Sequence, residues 1–306
     1  MSFIKIKHKR PYPAILPSRP ELSQEGQTIL ITGGGAGIGY AISKAFAQAG
    51  AAKIVIVGRR LDVLKHATVK IKQEVPEFTG RLSALKCDVS DLKSTEELWN
   101  VLHAENIIID VLVLNAAVIQ TTGPLIGTDL QQIWDEFNAN VRGTIDFAQR
   151  FFKQSEVNPN GHRKALINIS SFSAYDFEVP GFKPNYNLTK NASTLAIQQI
   201  ARDVPVQKAQ IISFHPGAIH TDAARAAGYT GDSLPWDDED LPGAFAVWCT
   251  SSEAQFLHGR FVWSCWDVEE MIRGEVGVKV AQDQYFLQIG VNGLEGTQPQ
   301  SKAIKT

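Results

Sequence analysis

The stretch Thr28-Ile29-Leu30-Ile31-Thr32-Gly33-Gly34-Gly35-Ala36-Gly37-Ile38-Gly39 decides the reading of this chain. Its first four residues are a short apolar run that reads as a buried parallel strand. Its last residues open an apolar-periodic segment, Ile38 to Ala49, that reads as a helix stopped by Gly50. Strand, glycine turn and helix in that order are the context in which a glycine pattern signals a nucleotide site. Glycine has no Cβ, so such a turn can take φ > 0 and bring its backbone close to a pyrophosphate. The unpaired N–H groups and the positive dipole end of the helix then face the phosphates. A glycine-rich turn that holds no ligand is the other reading of this stretch taken alone.

Outward from that turn, strands and helices alternate. Strands are predicted at Lys53–Val57, Leu82–Cys87, Asp110–Leu114, Ala165–Ser170 and Ala209–Phe214. Helices are predicted over Leu61–Glu74, from an N-cap at Ser90 to about Glu105, through a long amphipathic segment Leu130–Gln154, and over Asn185–Asp203. This βαβα rhythm predicts a doubly wound parallel sheet with helices on both faces: a Rossmann-like, three-layer α/β/α single domain. Ligands of such sheets sit outside the carboxyl ends of the strands. After Phe214 the rhythm loosens into a long loop, Ala218–Asp240, then a helix at Leu241–Thr250 and a short strand at Arg260–Trp263. A helix at Val268–Ile272 and a strand at Gln284–Ile289 complete the reading. The chain divides into an extended N-terminal arm (1–26, with Pro11, Pro13, Pro17 and Pro20), the main domain (27–266, including the loop 218–240), and a tail packed on it (267–306).

Composition limits the function classes. With 306 residues, 44% of them hydrophobic, the chain can bury one large core. A net charge of −2 gives no nucleic-acid footprint. No apolar run approaches the ~20 residues of a membrane span, and Lys5, Lys7, His8, Lys9 and Arg10 interrupt any signal-peptide core. That basic cluster is expected to be a solvated face. The ending Ala303-Ile304-Lys305-Thr306 is not a peroxisomal tail. Cys87, Cys249 and Cys265 are scattered, so no metal and no disulfide is expected and all three read as small buried hydrophobes. A cytoplasmic protein follows as the expectation.

The glycines at 33, 37 and 39 give G-x-x-x-G-x-G. The second strand ends in Gly58-Arg59-Arg60, with no carboxylate. A carboxylate there would accept from the ribose 2′-hydroxyl of NAD, whereas a guanidinium pairs with the 2′-phosphate of NADP. NADP is therefore the expected cofactor, with Arg59 the first contact and Arg60 the second, and NAD the alternative. Asp62 comes too late for the ribose and reads as a helix N-terminal residue.

Further motifs follow at successive strand ends or on the helices after them: Asp88-Val89, Asn115-Ala116-Ala117, Asn140-Val141-Arg142-Gly143, Asn168-Ile169-Ser170-Ser171, Tyr186-Asn187-Leu188-Thr189-Lys190 and His215-Pro216-Gly217-Ala218-Ile219-His220-Thr221. Tyr186 and Lys190 are four apart and share a helix face. A neighbouring ammonium favours a phenolate, so Lys190 is expected to lower the Tyr186 pKa and make a proton-transfer pair.

In this order and spacing, from about Gly26 to Thr221, the motifs resemble the short-chain dehydrogenase/reductase family, with a Pro-rich arm like that of fungal-type members. The resemblance implies Asn140, Ser171, Tyr186 and Lys190 as the catalytic set. Ser173, which the commoner family spacing would select, is the runner-up to Ser171. It implies that Gly33, Gly37, Ile38 and Gly39 cradle the pyrophosphate and that Asp88 and Val89 meet the adenine. Asn115 would line the ribose side, with Ala117 in place of the usual glycine. Tyr186 and Lys190 would border the nicotinamide ribose, and Pro216, Gly217, Ile219 and Thr221 the nicotinamide. His215 reads as a structural strand-end residue. A homodimer or homotetramer through the long helices is implied.

The expected activity is NADP(H)-dependent interconversion of a ketone and a secondary alcohol. Tyr175, Phe177, Phe182, Tyr229 and Trp236 in the flanking loops suit a bulky, partly apolar, secondary-metabolite-like substrate. The acidic run Asp237–Asp240 reads as solvated loop and helix N-terminal charge, with a lid as the other reading. The alternatives are an NAD-dependent alcohol dehydrogenase of the same family, or a non-redox use of the scaffold as regulator, cyclase or epimerase.

Overall fold

The computed structural model describes residues 3–154, 163–177, 183–226 and 228–291. Seven strands form one parallel sheet: β1 (Thr28–Thr32), β2 (Lys53–Gly58), β3 (Arg81–Lys86), β4 (Val111–Leu114), β5 (Lys164–Ile169), β6 (Ala209–His215) and β7 (Phe261–Trp263). Their spatial order is β3-β2-β1-β4-β5-β6-β7. The order reverses between β1 and β4, which opens a crevice at the strand tips. Every residue of β4, β5 and β6 is buried, so these strands read as apolar runs with little alternation.

The two faces separate by the strand period of two. Ile29 and Ile31 of β1 enter one apolar layer, and Leu30 enters the other. The first layer includes Ile42 and Phe46 of α1 (Gly37–Gln48), Leu64 of α2 (Leu61–Glu74), and Phe245 and Trp248 of α8 (Leu241–Trp248). The second packs Leu98 and Leu102 of α3 (Leu92–Ala104), Phe147 and Phe151 of α5 (Gly143–Lys153) and Ile197 of α6 (Pro184–Asp203). The result is a Rossmann-like three-layer domain.

Several local expectations are corrected. The N-cap of α3 is Asp91, whose carboxylate accepts from the Lys93 N–H at 2.9 Å, because Ser90 is turned back onto Asp88. The long segment Leu130–Gln154 is one helical run with an internal break: α4 (Leu130–Phe137), a π-helical turn at Asn138–Arg142, then α5. The strand at Gln284–Ile289 does not form. Asp283 bonds the Tyr285 N–H in a turn, and Leu287 sits at φ 60°, outside any extended conformation. Phe286 and Leu287 still pack on the core, which is why the stretch looks strand-like. Ahead of it lie α9 (Val268–Arg273) and a further helix, α10 (Glu275–Gln282).

The N-terminal segment carries two short 3-10 turns, Pro13–Ile15 and Pro20–Leu22, with Ile15 and Leu22 fully buried. Its basic stretch is not simply solvated: Lys7 bridges Trp266 antiparallel, and His8 pairs with Asp267 at 2.8 Å. The Glu270 carboxylate accepts the Lys5 and Ile6 N–H groups at 3.0 and 2.8 Å. No helix among the described residues is long and apolar enough to cross a membrane.

Candidate active site

At the β1 tip the chain turns through Gly33 (φ 66°) and Gly37 (φ 52°), both in the left-handed region. Gly39 is required for a different reason. A Cβ there would lie 2.1 Å from the Gly33 carbonyl oxygen and 2.6 Å from Asn115 Nδ2. Ala36, the N-cap of α1, offers no side-chain cap to the first turn. Asn115 knits the crevice together: its Nδ2 donates to the Thr32 carbonyl at 2.9 Å, and its N–H donates to Thr32 Oγ1 at 2.9 Å.

A cleft of about 430 Å³ runs from this turn to α6. One end is lined by Gly33, Gly37, Ile38, Gly39, Arg59, Arg60, Asp88, Val89 and Asn115. The other is lined by Ser170, Tyr186, Lys190, Pro216 and Thr221. A glycine-rich turn, an uncapped helix start and two exposed guanidiniums make a donor set that fits a dinucleotide phosphate. Neither Arg59 nor Arg60 makes an ion pair among the described residues, and the charge of Arg60 reaches Asp222 at the start of α7 (Asp222–Ala226). Asp88 Oδ1 accepts the Ser90 N–H and Oγ–H at 2.9 and 2.7 Å, so part of that carboxylate serves its own turn.

The turn after β6 closes the cleft. Gly217 sits at φ 95°, and the Asp237 carboxylate packs on it while accepting the Ala218 N–H at 2.9 Å. Asp237 is thus not a solvated loop charge; burial pushes its carboxyl up, against the pull of the Ala218 N–H. Ile219 is buried, its carbonyl accepting the Thr221 N–H at 2.8 Å. The Thr221 methyl faces Gly37 across the cleft, and its hydroxyl oxygen accepts the Ala224 N–H at 3.2 Å.

Pro184 starts α6 and so places Tyr186 in its first turn. The Ser171 side chain lies beside the Tyr186 phenol and draws its pKa down. Ser171 also accepts the Ser173 N–H at 3.2 Å, which makes Ser173 a member of the supporting turn. Ser170 is spent on Thr194, 2.5 Å away. Lys190 Nζ lies 5.8 Å from the Tyr186 ring centre and donates to the Ile169 carbonyl at 2.8 Å. Asn140 lies in the π turn and is buried. Its side chain accepts the Val118 N–H at 2.7 Å and donates to the Val118 carbonyl at 2.8 Å and to Thr189 Oγ1 at 3.0 Å. Its main-chain carbonyl accepts from Thr144 Oγ1 at 2.8 Å.

The expectation that Lys190 lowers the Tyr186 pKa is not what this arrangement gives. Burial dominates and pushes the phenol up; the Ser171 side chain pulls it back, and the Glu136 charge adds to the rise. The ammonium is directed at a carbonyl instead of the phenol, and its own burial lowers Lys190 to about 8. Tyr186 is therefore neutral at ordinary pH. His215 ends β6 edge-on to Phe172 and Trp263, at 4.9 and 4.5 Å between ring centres. Burial lowers it to about 3, so it is a neutral aromatic filler.

Among the loop aromatics, Tyr175 accepts the Trp263 Nε1–H at 2.9 Å and Phe177 is exposed. Trp236 stacks on His220 and meets Tyr229 edge-on. Phe182 lies outside the described residues. Reading the sequence did not single out Thr32, Glu136 or Asn185. A signal for Glu136 existed: it shares the 133/136/137/140 helix face with Asn140, where a carboxylate among apolar neighbours is out of place.

Comparisons with known proteins bear on the whole arrangement. The family model described as short chain dehydrogenase matches residues 27–230. A protein of Aspergillus novofumigatus named short chain dehydrogenase/reductase nsrO is 33% identical over 94% of this chain and 96% of its own length. A short chain dehydrogenase/reductase of Claviceps purpurea is 34% identical over 90% of each chain. Among solved structures, a short-chain type dehydrogenase/reductase from Mycobacterium marinum superposes with a TM-score of 0.70 at 21% identity. It covers 81% of this chain and 96% of that one, a likeness of fold.

Proposed function

The chain belongs to the short-chain dehydrogenase/reductase family, and from that premise we propose that it is an NADP(H)-dependent ketoreductase acting on a bulky, partly apolar ketone. The observation that carries this reading is that Tyr186, with the Ser171 side chain beside its phenol, and Lys190 line one cleft together with Arg59 and Arg60. The glycine turn and the start of α1 would hold the pyrophosphate, and the guanidiniums the 2′-phosphate. Asp88 and Val89 would border the adenine, Asn115 the ribose side, and Pro216, Gly217, Ile219 and Thr221 the nicotinamide. When bound, the dinucleotide supplies the hydride.

Ser171 donates a hydrogen bond to the substrate carbonyl oxygen and so fixes its place. Tyr186 gives that oxygen a proton as negative charge develops on it, and its raised pKa keeps it protonated for the task. Lys190 places positive charge beside the Tyr186 ring and would hold the ribose hydroxyls of a bound dinucleotide. Asn140 ties α6 to the loop after β4 and so fixes the frame of the proton relay. The exposed aromatics Tyr175 and Phe177, and the Tyr229–Trp236 pair in the loop after β6, support a substrate with apolar faces of the secondary-metabolite kind. Exposed Leu188 and Leu195 on α6 support assembly as a homodimer or homotetramer through the long helices.

The test is consumption of NADPH and of NADH against a panel of ketones graded from small and polar to large and aromatic. Turnover with NADPH on the large members supports the reading. Turnover confined to small polar ketones, or a preference for NADH, contradicts the corresponding part.

A further inference from the structure

Glu136 is fully buried on α4 and has no cationic partner among its hydrogen bonds. One carboxylate oxygen, Oε1, accepts three donors from the loop after β4: the Gln120 N–H at 2.6 Å, the Thr121 N–H at 2.6 Å and the Thr121 hydroxyl at 2.9 Å. The other, Oε2, accepts Asn185 Nδ2 at 3.0 Å. Asn185 immediately precedes Tyr186 on α6.

This contact repeats the one made by Asn140, four residues on. Asn140 joins Val118 of the loop to Thr189 of α6; Glu136 joins Gln120 and Thr121 of the loop to Asn185 of α6. The two rungs are four residues apart on both helices, because helix neighbours recur at that spacing. Their α6 members, Asn185 and Thr189, flank Tyr186 along the helix, and the loop they hold supplies Val118 and Ile119 to the cleft wall. A buried carboxylate gives up much solvation, which four strong donors recover only if the loop and helix stay in place. The geometry points to Glu136 as a positioning residue that clasps the 118–121 loop onto the turn of α6 carrying Tyr186, and so fixes the phenol against Ser171.

The charge has a second consequence. Among the described residues, the charged groups facing the phenol are Glu136 from α4 and Lys190 one turn along α6; Ser171, from the turn after β5, is neutral. Burial does most to keep the proton on Tyr186, and the Glu136 charge adds to it.

The role in catalysis rests on the ketoreductase reading; the clasp itself does not, and the experiment separates them. The full chain is compared as parent, Glu136→Gln and Glu136→Ala, with NADPH present. Amide hydrogen exchange over 118–124 and 184–190 reads the clasp, and kcat and KM for ketone reduction read its effect. Gln keeps an oxygen for the three loop donors, and Asn185 can turn its Oδ1, which has no hydrogen-bond partner, toward the new amide. Glu136→Gln is expected to keep parent-like exchange and KM, with kcat within about threefold of the parent. Glu136→Ala is expected to speed exchange at Gln120 and Thr121 about tenfold. Its kcat should fall by about ten- to a hundredfold at unchanged NADPH affinity. A folded Glu136→Ala with parent-like exchange and kcat overturns the proposal. If Glu136→Ala does not fold, Asn185→Ala, which cuts the Oε2 contact to α6, is read in the same way, and parent-like exchange and kcat in it overturn the proposal. If the parent reduces no ketone, the ketoreductase reading falls, and exchange in the variants alone decides for or against the clasp.

Discussion

At the glycine end of the cleft, the chain builds its site from near neighbours. Gly33, Gly37 and Gly39 need no side-chain support beyond the adjoining strand tips, where Val57 accepts the Gly33 N–H and Asn115 meets the turn. At the other end, the loop between Gly217 and Asp240 is held by residues more than two hundred positions away. Lys9 Nζ donates to the Pro235 carbonyl at 3.1 Å, and the Lys9 carbonyl accepts the Asp238 N–H at 2.6 Å. His8 stacks on Tyr12 at 3.6 Å, and Tyr12 donates to the Trp266 carbonyl at 2.9 Å. The first end is a backbone conformation, and the second is an assembly. Cofactor binding and ketone binding should therefore fail separately.

The largest effect is expected where the two ends meet. Lys190→Met should lower kcat by about three orders of magnitude, measured as NADPH consumption. The same substitution should raise the Tm at pH 7. The folded ammonium is lowered to about 8 from 10.5, so the unfolded chain binds the proton more tightly. Stability therefore rises as pH climbs from about 8 toward 10.5, and below that window the protein bears a desolvated charge that Met removes. A variant with parent activity, or a Tm that falls, breaks the comparison at its hinge.

Next comes the glycine end. Gly39→Ala should weaken NADPH binding by about a hundredfold in a fluorescence titration, since its Cβ collides with the Gly33 carbonyl. Arg59→Asp should cost about tenfold or more in NADPH affinity and little in NADH affinity. Removing residues 1–10 sharpens the contrast from the opposite side: KM for the ketone is expected to rise several-fold while NADPH affinity changes less than about twofold. The reverse pattern would show that the arm serves the cofactor.

The smallest effect is expected at His215. The folded imidazole is lowered to about 3 from 6.5, so the unfolded chain binds the proton first as pH drops. Its stabilising exclusion of the proton is complete above 6.5 and is lost between 6.5 and about 3. His215→Phe should keep kcat within about threefold and flatten the fall of Tm over that window.

The same contrast explains what the sequence revealed. The glycine turn, the Arg59–Arg60 strand end and the Tyr186–Lys190 spacing are local patterns, and each takes its place around one cleft. The π turn at Asn138–Arg142 was hidden because its residues keep helical φ and ψ; only the hydrogen-bond register changes. The Tyr186 pKa was misjudged because adjacency on a helix says nothing of where an ammonium points or how deeply a phenol is buried. Asp237 and the arm contacts depend on partners brought together by folding, and no spacing within their own segments announces them; helix spacing turns Glu136 inward but does not say what it holds.

The central claim is that Tyr186 donates the proton in a site otherwise complete without it. It is tested most directly by comparing the parent and Tyr186→Phe at 340 nm with NADPH and a ketone that the parent reduces, alongside NADPH titration of each. The account expects turnover to drop about a thousandfold or more at unchanged NADPH affinity. Turnover retained in Tyr186→Phe would contradict it.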